Sequence, residues 1–196
     1  MTNSNLPRFD TARNSIPGYE NGILVVRTYN QYMHAMNLRS LVYMGEQFCP
    51  YYEEFDGNDF CGNHLVAYKN GEPIATLRIR YIAQFAKVER LSVHPLHRNS
   101  KIALKLVLAA KDFCLMKGFS LIYGHAQEGK ENFWKFFGGK AIDGHEKFKF
   151  SNYLYTEMLC EFAPIDQPLS IKSGPYVLIR PEGRWDIPGP LEKKPS

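Results

Sequence analysis

The chain has 196 residues, 44% hydrophobic and 14% aromatic, enough for one buried core and short for two, which excludes wholesale disorder. No apolar run approaches the roughly 18 residues of a bilayer span, so no membrane span is expected. The net charge of +4 is too mild to point to nucleic acid, and none is expected as a partner.

Residues 1–21 are polar, broken by Pro7 and Pro17, and read as an irregular arm without a secretory signal. Ile23–Thr28, short and β-branched, predicts a first strand. Tyr32, Met33, Met36, Leu41, Val42 and Met44 recur at helical spacing behind Asn30, a candidate N-cap. Residues 47–63, with Pro50, Gly57 and Gly62, read as a long ordered loop. Strands over 64–68 and 74–81, joined by Asn70-Gly71, form the strongest hairpin signal in the chain. A fourth strand over 87–93 ends at His94-Pro95. The stripe Ile102, Leu106, Ala109, Ala110 and Phe113 predicts a helix over 100–117, closed by Gly118. A fifth strand (120–126), a short helix (131–137) before Gly138-Gly139 and a late strand (153–160) complete the order β-α-β-β-β-α-β-α-β.

That order predicts an α/β fold of the α+β kind over residues 22–160: one mixed, mostly antiparallel sheet flanked by helices. Seven of the twelve prolines lie at or beyond Pro164, so 161–196 reads as a proline-rich C-terminal extension. Within it Tyr176–Arg180 would add an edge strand or clasp a neighbouring subunit, giving a homodimer. The four cysteines (49, 61, 114 and 160) show no CxxC pair, which points to reduced thiols in a cytoplasmic protein with no metal site.

Charge is unevenly spread. Between Glu46 and Asp59 stand five acids and no lysine or arginine; between Lys87 and Lys105 stand five bases against Glu89 alone. The acidic stretch would draw in a cationic amine or, with Tyr51, Tyr52, Phe55 and Phe60 interleaved, serve as a packed pocket wall. The basic stretch holds a strand, a short loop and an apolar helix. The first amides of that helix, near Asn99, Ser100, Lys101, Ile102 and Ala103, lack intrahelical partners; with Arg98 and the helix dipole they suit a phosphate.

This segment resembles the acyl-CoA-binding motif of the GNAT N-acyltransferase superfamily. Leu91-Ser92-Val93 matches the strand of that motif, and Arg98-Asn99-Ser100-Lys101-Ile102-Ala103 its phosphate loop, with Lys101 where glycine is usual. HLVAYKNGEPIATLRIR is similar to the family's second and third strands, and YGHAQEGKENFWKFFGGKA to its fifth strand and following helix. The resemblance covers residues 22–160. It implies acyl transfer from acetyl-CoA or another acyl-CoA to a small-molecule or peptide amine, with backbone N–H groups around Leu91 to Val93 receiving the thioester oxygen. RSLVYMGEQFCPYYEEFDGND is also similar to the opening of acyl-homoserine-lactone and N-acyl-amino-acid synthases, which implies acyl carrier protein as an alternative donor. A GNAT-like fold that only senses a ligand is the non-catalytic alternative.

Two side chains suit the proton chemistry. Strand alternation puts Lys87, Glu89, Leu91 and Val93 on one face, so Glu89 is either a general base or a structural partner of Arg78 or Arg80. His125, at the end of the fifth strand, is the second candidate. The family's tyrosine acid is replaced by Trp134, whose indole is no practical acid; His125 is then the first candidate acid, with Tyr123 in reserve.

Overall fold

In the computed structural model, which describes residues 21–192, one eight-stranded sheet runs β1-β2-β3-β4-β5-β8-β6, with β7 also on β8. The strands are β1 (Asn21–Val25), β2 (Asn63–Lys69), β3 (Glu72–Ile82), β4 (Phe85–Val93), β5 (Leu121–Gln127), β6 (Lys140–Ala141), β7 (Phe148–Phe150) and β8 (Tyr153–Glu161). Only β4 and β5 pair in parallel; the other ladders are antiparallel. The expected arm lies, but for its last residue, outside the described residues.

Local chemistry accounts for most boundaries. Asn70 and Gly71 both adopt positive φ, 51° and 83°, the backbone that a two-residue hairpin between right-twisted strands demands. Helix α1 (Tyr29–Arg39) is capped by Thr28 rather than Asn30: the Thr28 hydroxyl accepts from the Gln31 amide while the Gln31 side chain accepts from the Thr28 amide. The helix then widens into a π-helical segment, Ser40–Glu46, which carries Tyr43 and Glu46 forward. Residues 47–63, expected as a loop, contain α2 (Tyr51–Glu54) and a 3₁₀ turn at Asp59–Cys61.

Period-2 alternation divides the strands between two cores. Leu65, Ala67, Ala75, Leu77, Ile79, Ala86 and Val88 point to the side covered by α3 (Ile102–Met116), whose Leu106, Ala110 and Phe113 are buried against them. Leu24, Val66 and Tyr68 point to the other side, under Ala35, Met36 and Leu38 of α1. Helix α4 (Glu131–Lys135) sets Trp134 into the α3 side.

After β8 the chain does not add the edge strand expected at Tyr176–Arg180; it forms a helical turn there, α5 (Pro175–Leu178), opened by Pro175 at its first position. Farther on, Trp185 enters the main core and stacks on Phe113, ring centroids 5.5 Å apart. Gly183, at φ 76°, lets the backbone pass Val25 where a Cβ would stand 2.6 Å from Cγ2. Trp185→Ala should therefore lower unfolding stability by about 3–5 kcal/mol, as for other buried tryptophans, measured by urea denaturation followed by far-ultraviolet circular dichroism.

Candidate active site

Strands β4 and β5 are paired only from Phe85↔Leu121 to Val88↔Gly124; beyond that they part. Two features hold them apart. The Trp134 ring lies on Gly124 so closely that a Cβ there would overlap it. On the other side, β4 carries a bulge: Arg78 pairs with Glu89 and Thr76 with Ser92, so Arg90 and Leu91 together oppose Leu77. Arg90 takes the left-handed backbone, φ 57°. A cavity of about 650 Å³ occupies the opening.

The bulge corrects the expected face of β4. Glu89 and Ser92, not Leu91 and Val93, share the α1 side, with Arg78 and Thr76 as cross-strand neighbours. Leu91 and Val93 turn to the α3 side and pack on the main core, while Ser92 is buried. The slip was written in the residues: apolar positions are even through Ala86 and Val88, then odd at Leu91 and Val93.

On the α1 side lies a buried ion network. Arg39 gives Nε to Glu54 at 2.5 Å and Nη1 to Asp59. Arg78 gives Nε to Glu89 at 2.9 Å, Nη1 to Asp59 at 2.7 Å and Nη2 to Asp56 at 2.7 Å. Arg90 pairs with Glu54 at 3.0 Å and Asp56 at 3.2 Å, and Lys87 with Glu89 at 3.0 Å. Burial would raise Asp56, Asp59 and Glu89, but the arginines and Lys87 outweigh it and hold all three below the ordinary carboxylate range. The ion-pair partner expected for Glu89 is in place: its carboxylate meets Arg78 at 2.8 Å and Lys87 at 3.0 Å. The inner acids of the acidic stretch, Glu54, Asp56 and Asp59, are thus already matched, while Tyr51, Tyr52 and Phe60, expected to pack as a pocket wall, stand exposed.

The segment expected to hold a phosphate is exposed at Arg98, Asn99, Ser100 and Lys101, with Ile102 and Ala103 half-buried behind it. The first bond back into the chain is Lys105 N–H to Lys101 O, 3.0 Å, so the amides of residues 102–104 have no earlier carbonyl. Of this segment Arg98 and Ala103 line the cavity. Arg98 reaches Glu46 at 2.5 Å, joining the loop to the π-helical segment.

His125 lines the same cavity, with Nε2 2.8 Å from the Tyr123 hydroxyl. Burial, helped by Lys87, pushes its pKa down to about 4, so the ring is neutral near pH 7. The structure thus brings Glu89, Leu91, Val93, Arg98, Ala103 and His125 to one opening. The aromatic wall of Tyr43, Phe148, Phe150 and Tyr155 was not expected. Tyr43 donates to the Leu91 carbonyl at 3.3 Å, and Arg90 stacks over Phe150, 5.0 Å from its centroid. No three ligand-type side chains among the described residues converge to hold a metal, and no described helix is long and apolar enough to cross a membrane.

The family described as acetyltransferase (GNAT) matches residues 27–138. A Bacillus subtilis (strain 168) protein named for acetyltransferase activity is 29% identical over 115 residues, 57% of this chain and 78% of that one. Escherichia coli ElaA superposes with a TM-score of 0.65 at 23% identity, over 72% of this chain and 99% of that one. FeeM, an N-acyl amino acid synthase from uncultured soil microbes, gives 0.61 at 12% identity, over 72% and 91%. At these identities the two structures speak for the fold alone.

Two predictions follow from the network. Asp59→Asn, which strips a buried acceptor from two arginines, should cost about 3–5 kcal/mol, whereas Glu46→Gln at the exposed Arg98 pair should cost about 1 kcal/mol or less; paired urea titrations decide. Acid should also destabilise the protein. His64 and His125 are depressed below the ordinary 6.5 by burial first, so their contribution is full above about pH 6.5 and is lost as pH falls toward their folded values, about 4 for His125. Asp56, Asp59 and Glu89 add losses below the ordinary values of 3.8 and 4.5. Glu54, raised by burial, runs the other way. The net expectation is a melting temperature that falls from pH 7 to pH 4; a flat profile would contradict it.

Proposed function

Because the chain belongs to the acetyltransferase (GNAT) family, we propose that this acyltransferase moves an acyl group from an acyl-coenzyme A thioester to an amine by direct attack. The observation that carries the reading is one opening lined by Arg98, by Ala103 at the start of α3, where the first amides lack earlier carbonyls, and by a neutral imidazole, His125. The first suits a pyrophosphate: unpaired N–H donors, a helix dipole and a guanidinium whose Glu46 partner is displaceable. Lys101, in place of glycine, adds a cation beside the amides.

The chemistry asks for an amine lone pair, donors for a developing oxyanion and a carrier for one proton. The amine nitrogen attacks the thioester carbon; a C–N bond forms, and its electrons move onto the carbonyl oxygen. Leu91 is the proposed donor to that oxygen. Its carbonyl is directed at Tyr43, and a strand residue's N–H and C=O point the same way, here toward the side that β5 has left. The oxyanion then collapses, the C–S bond breaks, and the electron pair leaves on sulfur. His125 takes the proton from nitrogen and returns it to the thiolate, so the products are an amide and free coenzyme A. A low conjugate-acid pKa suits that return: once protonated, the imidazolium gives the proton up readily. Glu89 is proposed as a positioning group that aligns Arg78 and Lys87.

Calorimetric titration with acetyl-CoA tests the donor half. Arg98→Ala combined with Lys101→Ala should weaken binding at least about tenfold, from roughly 1.5–3 kcal/mol for each charged hydrogen bond lost. Unchanged affinity rejects the site, and turnover only with an acylated carrier protein assigns a different donor. Thiol release with a panel of amines tests the rest. His125→Ala should cut kcat by about 10²-fold or more with donor affinity intact, and wild-type turnover in that variant would remove His125 from the mechanism.

A further inference from the structure

His125 can accept the amine proton only on a nitrogen that carries a lone pair, and side chains of β5, β8 and the β6–β7 connection determine which nitrogen that is. Glu157 stands opposite His125 in the β5–β8 ladder. One of its oxygens accepts from the Tyr123 hydroxyl, and the other lies 2.7 Å from Nδ1 of His145. Those two hydrogen bonds, the Tyr123 bond first, hold Glu157 below the ordinary glutamate value. The carboxylate is therefore ionised and can only accept.

Tyr123 has one hydroxyl proton, and Glu157 receives it. The Tyr123 oxygen must then accept from its other neighbour, Nε2 of His125 at 2.8 Å. A neutral imidazole that donates from Nε2 keeps its lone pair on Nδ1.

We infer that Glu157, acting through Tyr123, is a positioning residue that fixes the Nε2–H tautomer of His125 and leaves Nδ1 to take the amine proton. The inference rests on the reading of His125 given above. The Glu157 charge, reached through the phenol, also favours the imidazolium as it forms, and His145, half-exposed, anchors the carboxylate from the solvent side. The other groups around the ring do not compete for Nε2. Lys87 and Arg90 of β4 disfavour a charged ring, Glu89 favours it, and Phe148 of β7 and Tyr155 of β8 lie beside it, Phe148 edge-on with its centroid 4.7 Å away. The arrangement comes from strand geometry: Tyr123 and His125, two apart, share one face of β5, and β8 brings Glu157 level with them.

The experiment is ¹⁵N nuclear magnetic resonance of histidine-labelled full-length protein, with kcat and acetyl-CoA affinity measured on the same samples. Wild type should show His125 with a protonated Nε2 and an unprotonated Nδ1. Tyr123→Phe, which keeps the ring against Phe85 and His125, and Glu157→Gln should both shift His125 to a mixture of tautomers. They should lower kcat about tenfold or more while acetyl-CoA affinity stays within about twofold. A wild-type ring protonated on Nδ1 overturns the inference. So does a tautomer unmoved in both variants, or a shifted tautomer with unchanged kcat. If wild type neither binds acetyl-CoA nor releases thiol, the proposed function fails instead, and the resonances still decide what Glu157 does to the ring.

Discussion

Arg78 is out of contact with water, and its single guanidinium holds Asp56, Asp59 and Glu89 at once. Burying a charge costs several kcal/mol unless every donor finds an acceptor, so these four residues must come together or the sheet cannot close. Arg39 imposes the same demand on Glu54 and Asp59, and Arg90 on Glu54 and Asp56. With Lys87 and with Arg80, 3.8 Å from Glu89, five cations surround four carboxylates. The end of α1, the α2 segment, β3 and β4 are thereby tied to one another by charge rather than by apolar contact. The left-handed turn of Arg90 belongs to that arrangement: its side chain is held by Glu54 and Asp56 while the backbone beneath it bulges. The carboxylates of the cleft wall are matched as a result, and the rest of that wall is largely aromatic.

What the sequence disclosed depended on the range of the interaction. The Asn70-Gly71 hairpin and the α3 stripe are local patterns, and each appears where its residues predicted. Glu89 was legible as a choice between base and ion-pair partner, because the nearby arginines were visible but their aim was not. The bulge left a phase slip in the apolar pattern, easily passed over in a nine-residue strand. Thr28 displaced Asn30 as the cap because Gln31 completes a reciprocal pair with Thr28. The aromatic wall was hidden for a different reason: Tyr43, Phe150 and Tyr155 lie more than a hundred residues apart at the extremes, and short β6 and β7 carry almost no periodicity to announce them. The extension misled by its β-branched Val177 and Ile179, which form a helical turn once Pro175 sets the first φ.

Trp134 sets the shape of the opening. The indole fills the space over Gly124 and keeps β4 and β5 apart from the α3 side, while the Arg90 bulge does so from the other. Only glycine fits beneath the ring. On the opposite face of β5, Tyr123 and His125 lie side by side.

Trp185 belongs to the core yet lies downstream of every strand in the sheet. During translation the sheet residues leave the ribosome first, so Phe113 and Val25 wait with an uncovered surface until Gly183 and Trp185 emerge and close over them. A nascent chain at that stage has its hydrogen-bonded framework and an unfinished apolar face, the condition in which chaperone binding and aggregation compete with folding. The apolar face around Phe113 and Val25 is therefore closed only after the last strand, by a tryptophan among residues 162–192, which contribute no strand.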